Sequence, residues 1–232
     1  MESIIYIILL LITIILLYFI FKINVKKIKG FEKNKELEKI TDKFPDNVEI
    51  AKEMLQMLGN EDVKIEEAKD TGTSLYIAVT NKISIADMKN NYARIQTIAH
   101  ECLHSCQDRT LLMFNFIFSN INIIYFFIIS ILTVFKVIHN QTFQIAILML
   151  FMLIGFAVRS FLEIDAMTRA RFFAKEYMEK KNLVGKEDQE KLLEQYKEIN
   201  RVGIPFTVYN LLMNGLARVI IYSIICAIVQ FI

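Results

Sequence analysis

"TIAHECLHSCQDR", Thr97 to Arg109, holds two of the chain's three histidines, His100 and His104, four residues apart with Glu101 beside the first. The stretch obeys H-E-x-x-H. On an α-helix, residues four apart stand one turn above each other, about 40° apart around the axis, so both imidazoles reach one ion. Glu101, next to a ligand, is placed to hold a water molecule and take its proton as that water attacks a carbonyl. The spacing suits zinc-dependent amide hydrolysis, provided that the stretch is helical and a third ligand reaches it. The third histidine, His139, is remote and reads as solvated.

The surroundings of this stretch are apolar. The chain has 232 residues, 54% of them hydrophobic, and a mean hydropathy of +0.39. That is too apolar for an ordinary soluble domain, and the excess is gathered into long runs. Ser3 to Phe21 is uncharged and long enough to span a bilayer. It lacks a basic leader and a small-residue cleavage site, so it reads as an anchor and not a cleaved signal. Leu111–Phe135 and Phe143–Val158 are joined by a short linker and read as a membrane hairpin. Residues 204–232 form a fourth candidate. Pro205, Asn210, Asn214 and Arg218 weaken its first half, while "VIIYSIICAIVQFI" is clean but short. It reads as a span with Arg218 snorkelling or facing protein, the alternative being a helix lying in the interface.

Charge sets the orientation. Lys22, Lys26, Lys27 and Lys29 follow the first run, and Arg159, Arg169 and Arg171 follow the third, whereas the hairpin tip offers only Lys136. By the positive-inside rule, 22–110 and 159–203 face the cytoplasm. The net charge of +2 and the lack of a basic, aromatic-rich block exclude a nucleic-acid surface. Three cysteines, Cys102, Cys106 and Cys226, provide no disulfide framework and read as small buried apolar residues.

The polar segments supply the rest. "KNKELEKITDKF" reads as a charged helix, Asp46 as the cap of a helix "NVEIAKEMLQML" stopped by Gly59, and "VKIEEAK" as a strand. Thr71-Gly72 marks a turn, and "SLYIAVTNKISIAD" a strand pair about Asn81-Lys82. A helix follows from about Tyr92. After the hairpin, "EIDAMTRARFFAKEYMEKK" continues the third run as a helix, Gly185 breaks it, and "KEDQEKLLEQYKEIN" forms another.

The third ligand must be a carboxylate. Glu163 is the best placed, because the hairpin returns it to the membrane face from which the histidine helix departs. Ala166 and Ala170 share its helix face and would permit close approach. Asp165 projects elsewhere and is the weaker candidate, and Glu176 and Glu179 read as solvated. Asp108 or a backbone oxygen could accept the free N–H of a ligating histidine. Arg169 and Tyr209 are candidates to stabilise an oxyanion, and "SLYIAV" could pair with a substrate backbone.

"AHECLHSCQD" followed by "FLEIDAMTRA" resembles the YugP-type neutral zinc metallopeptidases of bacterial membranes. His100, Glu101, His104, Gln107 and Asp108 match that family's H-E-x-x-H-x-x-Q-D, and Glu163, Ala166, Arg169 and Ala170 match its E-x-x-A-S-x-R-A. Cys102, Leu103 and Met167 depart from it without removing a ligand. The resemblance implies a gluzincin-like site, with His100, His104 and Glu163 holding Zn2+ and Glu101 as the base.

These readings give a mainly α multi-pass membrane protein with a small zincin-like α+β cytoplasmic metallopeptidase core. It would comprise an anchor (1–21), an α+β segment with the histidine helix (22–110), a transmembrane hairpin (111–158), cytoplasmic helices with the third ligand (159–203) and a last membrane helix (204–232). The expected function is a zinc metalloendopeptidase of the cell membrane with its site at the cytoplasmic face, acting on peptides or membrane proteins near the bilayer. The alternative is a catalytically silent metal-binding membrane scaffold. A metal transporter is disfavoured, because the second and third runs are almost free of ionisable residues.

Overall fold

Long apolar runs and Glu/Lys-rich segments both favour helix, and a computed structural model of the chain is accordingly mostly helical with one small sheet. It describes residues 2–31, 34–68, 73–88 and 91–231. In chain order the elements are α1 (Glu2–Ile20), α2 (Val25–Gly30), α3 (Lys35–Thr41), α4 (Asn47–Met57), β1 (Lys64–Ala68), β2 (Leu75–Ile77), β3 (Lys82–Ala86), α5 (Arg94–His104), α6 (Arg109–Val134), α7 (Gln141–Lys181) and α8 (Lys186–Phe231). The expected turn at Thr71-Gly72 lies outside the described residues, as does Lys33 at the start of the expected charged helix. Asp46 caps α4 by accepting from the Glu49 N–H at 2.8 Å. The chain leaves that helix through Gly59, whose φ of +64° suits a residue without a Cβ. The strand order is β1-β3-β2, with β1 parallel and β2 antiparallel to β3, so β2 forms one edge.

One difference from the sequence reading is α8. The charged stretch 186–200 and the apolar stretch beyond Ile204 are one continuous helix of 46 residues that runs through Pro205. Proline removes a backbone hydrogen bond and crowds the preceding turn, and its neighbours Val202, Gly203, Ile204, Thr207 and Val208 are themselves weak helix formers, so the continuity does not follow from local propensity.

The described chain divides into two compact units: residues 1–23, 114–161 and 205–232, and residues 24–113 and 162–204. In the first unit Leu10, Phe126, Ile129, Leu148, Leu216 and Tyr222 are among the buried core residues. Thr133 and Tyr222 share a buried hydroxyl hydrogen bond of 2.9 Å. Many large apolar side chains, including Phe19, Ile124, Phe127 and Leu150, point outward, a surface that water disfavours. Three helices, α6, α7 and α8, are long and apolar enough to cross a membrane, and Ile4–Ile20 is a shorter apolar helix.

The second unit is built like a soluble core. In α5, Ile95, Ile98, Ala99, Cys102 and Leu103 are buried at spacings of three and four, the stripe of an amphipathic helix. They share one core with Ile50, Met54 and Leu55 of α4, Ile83 and Ile85 of β3, and Ala170, Ala174 and Tyr177 of α7. Burying that stripe turns His100 and His104 to the other side. Gln96 donates to Asn200 at 2.6 Å, and Asn200 donates to the Met167 carbonyl at 2.8 Å, which ties α5, α8 and α7 together.

Arg94 anchors the start of α5. It is 2% exposed. Nη1 donates to the Pro45 carbonyl and Asn47 Oδ1, and Nη2 donates to the Thr41 and Phe44 carbonyls. A planar guanidinium satisfies these four acceptors, and an ammonium does not have that fork. Arg94→Lys should therefore cost about 3–5 kcal/mol of stability, read as a lower denaturation midpoint of the purified chain. An unchanged midpoint would contradict the assignment.

Candidate metal centre

The second unit alone contains every atom of the proposed centre. Nε2 of His100 and Nε2 of His104 lie 3.0 Å apart. Oε2 of Glu163, near the start of that unit's share of α7, lies 3.5 Å from the first nitrogen and 3.6 Å from the second. The three side chains keep 18%, 12% and 23% of their surface open, so the cluster is recessed but reachable. Buried Ala166, Ala170 and Ala174 recur every fourth residue of α7 on the side that enters the core. Small side chains there let two helix backbones approach closely.

The donor set fits a divalent cation. A triangle with sides of 3.0, 3.5 and 3.6 Å contains a point about 2.0 Å from each corner, the distance at which zinc is held by imidazole nitrogen and carboxylate oxygen. Among the described residues this is the one group of three potential ligands that converges so closely.

Gln107 orients His104. Its Nε2 donates to the Leu162 carbonyl at 2.7 Å and to Asp165 Oδ2 at 3.0 Å. Its Oε1 therefore faces the imidazole, and His104 Nδ1–H donates to it at 2.8 Å. A neutral ring with its proton on Nδ1 directs the Nε2 lone pair at the centre. Asp108, expected as a partner of that histidine, instead accepts from the Leu111 N–H at 2.8 Å. The reason is local: α5 ends at His104, and the turn that follows sends Asp108 to the head of α6, where a carboxylate caps free N–H groups.

Asp165 points away from the centre, where it accepts from Gln107 and stands 3.5 Å from Arg169 Nη1. Glu176 and Glu179 are exposed on α7, and His139 is exposed at the hairpin tip. Tyr209 belongs to the first unit, edge-on to Tyr18 and Phe21. Cys102 and Cys226 are buried as expected, but Cys106 is exposed, because it lies past the end of α5 and off its buried stripe.

Glu101 is 6% exposed, and its Oε2 accepts the Tyr76 N–H of edge strand β2 at 2.7 Å. Burial raises its pKa, against the charges of His100 and His104 and the Tyr76 N–H, which pull the other way. Burial alone would raise the Glu163 carboxyl too. There the hydrogen bonds and charges of the two histidines prevail and hold it well below the usual carboxylate range. Burial alone would lower His104, but Glu163 and Gln107 overcome this and lift it above the ordinary imidazole value. Glu163 thus favours the protonated form of His104.

Comparison with known families bears directly on this geometry. Residues 5–197 match the family described as "Putative neutral zinc metallopeptidase". The chain belongs to that family. Zinc is accordingly the expected cofactor of this neutral zinc metallopeptidase family member, and His100, His104 and Glu163 form a possible site for it. Comparison with curated proteins and with solved structures finds no match.

The sequence assigns Gln107 a place in the motif and Asp165 only a weaker claim as third ligand, and it gives neither of them an orienting role, nor the Tyr76 N–H any role at Glu101. Gln107 lay inside the motif, three residues after His104, and that spacing was the available signal. A backbone N–H such as that of Tyr76 leaves no trace in residue identity. If Gln107 orients the ligand, Gln107→Ala should weaken zinc binding about 10- to 100-fold in competition with a chromophoric chelator. An unchanged affinity would show that His104 needs no such support.

Proposed function

We propose that the chain is a membrane-embedded zinc endopeptidase whose site opens at the cytoplasmic membrane face. The observation that carries this reading is the convergence of two imidazole nitrogens and one carboxylate oxygen beside a buried second carboxylate, Glu101. Held by His100, His104 and Glu163, zinc would supply a Lewis acid that polarises a scissile carbonyl and makes water nucleophilic near neutral pH.

The remaining chemistry belongs to the chain. Glu101, with its carboxyl pKa raised, is suited to accept a proton from the attacking water and pass it to the departing amine. The Tyr76 N–H steadies that carboxylate. His104 is kept in its donor tautomer by Gln107. Strand β2 lies at the sheet edge, where an extended peptide could add to it by main-chain hydrogen bonds, giving weak sequence preference.

The membrane location rests on chain geography. Glu163 follows Val158 by five residues on one continuous helix, roughly 7.5 Å along its axis. His104 precedes the apolar run from Leu111 by seven residues. The Lys and Arg residues flanking these runs favour a cytoplasmic site. Peptides or membrane proteins close to the bilayer are the substrates that such a site would reach.

Glu101→Gln separates an enzyme from a silent metal-binding scaffold. The variant should keep bound zinc while peptide hydrolysis falls about 10²- to 10⁴-fold. Full hydrolysis by Glu101→Gln would remove Glu101 from the mechanism. The raised His104 pKa sets the pH dependence of metal binding. Protons compete for the His104 imidazole below that pKa, so zinc affinity should fall as pH drops through it, with proton release on binding. Calorimetry in buffers of different ionisation enthalpy measures this, and proton-neutral binding at pH 6 would contradict it.

A further inference from the structure

Residues 114–161 and 205–232 contain no Asp or Glu, yet the second of these stretches carries Arg218. It lies 12 residues before Gln230, whose amide donates to Gln141 Oε1 at the opposite end of the first unit's α7 segment, and 13 residues after Pro205. Those separations are about 18 Å and 20 Å of helix, which is the middle of a hydrocarbon layer about 30 Å thick. Arg218 is thus the one charged residue between Pro205 and Phe231, the part of α8 that makes it a candidate span. A side chain cannot snorkel that far, and lipid phosphates lie at the interface.

Among the described residues Arg218 has no ion-pair partner. Arg218 Nη1 is buried and has no acceptor among the described residues. Nor can α8 easily turn to find one, because its other face is closely packed: Leu216, Val219, Tyr222 and Cys226 are in the core, and a Cβ at Gly215 would stand 2.3 Å from Met152 Cγ. The outer face is open. Asn214, Ala217, Ile221, Ile224 and Ile228 are all exposed, at spacings of three, four, three and four. That is the seam on which two helices pack side by side, and Arg218 flanks it one turn after Asn214. Ionisable groups at mid-membrane depth are paired when they persist.

We propose that Arg218 is the docking charge for a partner transmembrane helix that carries an Asp or Glu near its middle and lies along the Asn214–Ile228 stripe. The partner is not a second copy of this chain through its own apolar segments, since 3–21, 114–161 and 205–232 supply no carboxylate. The proposal rests on reading α8 as a membrane span and is independent of the metal centre, which uses none of these residues.

The test uses the full chain, fluorescently labelled and reconstituted into phosphatidylcholine vesicles with a synthetic single-span polyleucine helix that has either Glu or Leu at its centre. Energy transfer should report at least tenfold stronger association with the Glu helix. Arg218→Leu, which makes α8 more apolar and so does not endanger insertion, should reduce that association to the level of the Leu helix. Equal association of the two helices, or a Glu preference that survives Arg218→Leu, would overturn the proposal. A chain stripped from the vesicles by alkaline carbonate would instead strike the membrane reading itself, and the proposal with it.

Discussion

Two imidazole nitrogens and a carboxylate oxygen within 3.6 Å of one another form a pocket that favours a shared cation, and the second unit is arranged around that cluster. His100 and His104 face the shared point because the opposite side of α5 is consumed by the core of Ile95, Ile98, Ala99, Cys102 and Leu103. Glu163 reaches it from α7, whose alanine stripe keeps that helix slim where it enters the core. Gln107 then joins the two helices, with its oxygen toward an imidazole of α5 and its nitrogen on a carbonyl and a carboxylate of α7. One side chain both sets a tautomer and fixes the distance between ligand-bearing helices.

The candidate ligand set is discontinuous in sequence. Two apolar helical runs lie between His104 and Glu163, so the centre exists only when the chain returns from them. The chain returns to the second unit after α6 and the first part of α7, which are candidate membrane spans. This path goes with a division of labour. The first unit is apolar outward and nearly free of carboxylates, and the second is polar outward and carries the whole of the proposed chemistry.

Much of this was legible in the chain. The i, i+4 histidines announce a helix, because only that periodicity aligns them, and α5 covers both. Glu163 stood out because carboxylates are costly beside an apolar run unless they are used. The strands and the Asp46 cap followed from alternation and capping chemistry. What escaped notice depends on where helices stop. With α5 ending at His104, Gln107 turns back to the imidazole, Asp108 goes forward to cap α6, and Cys106 is left exposed, whereas a continued helix would have placed all three differently. The fork of Arg94 was equally hidden, since it bonds mostly carbonyl oxygens, which every residue has. The continuity of α8 through Pro205 was not legible either, because Val202, Gly203, Ile204, Thr207 and Val208 around it are weak helix formers.

The central claim is that a single zinc ion sits among two imidazoles and one carboxylate. X-ray absorption at the zinc edge of the purified full-length protein tests it most directly. The account predicts one zinc per chain with a nitrogen and oxygen shell at about 2.0–2.1 Å, imidazole scattering from two rings and no sulfur. A sulfur shell at about 2.3 Å, or an absorber without imidazole, would contradict it.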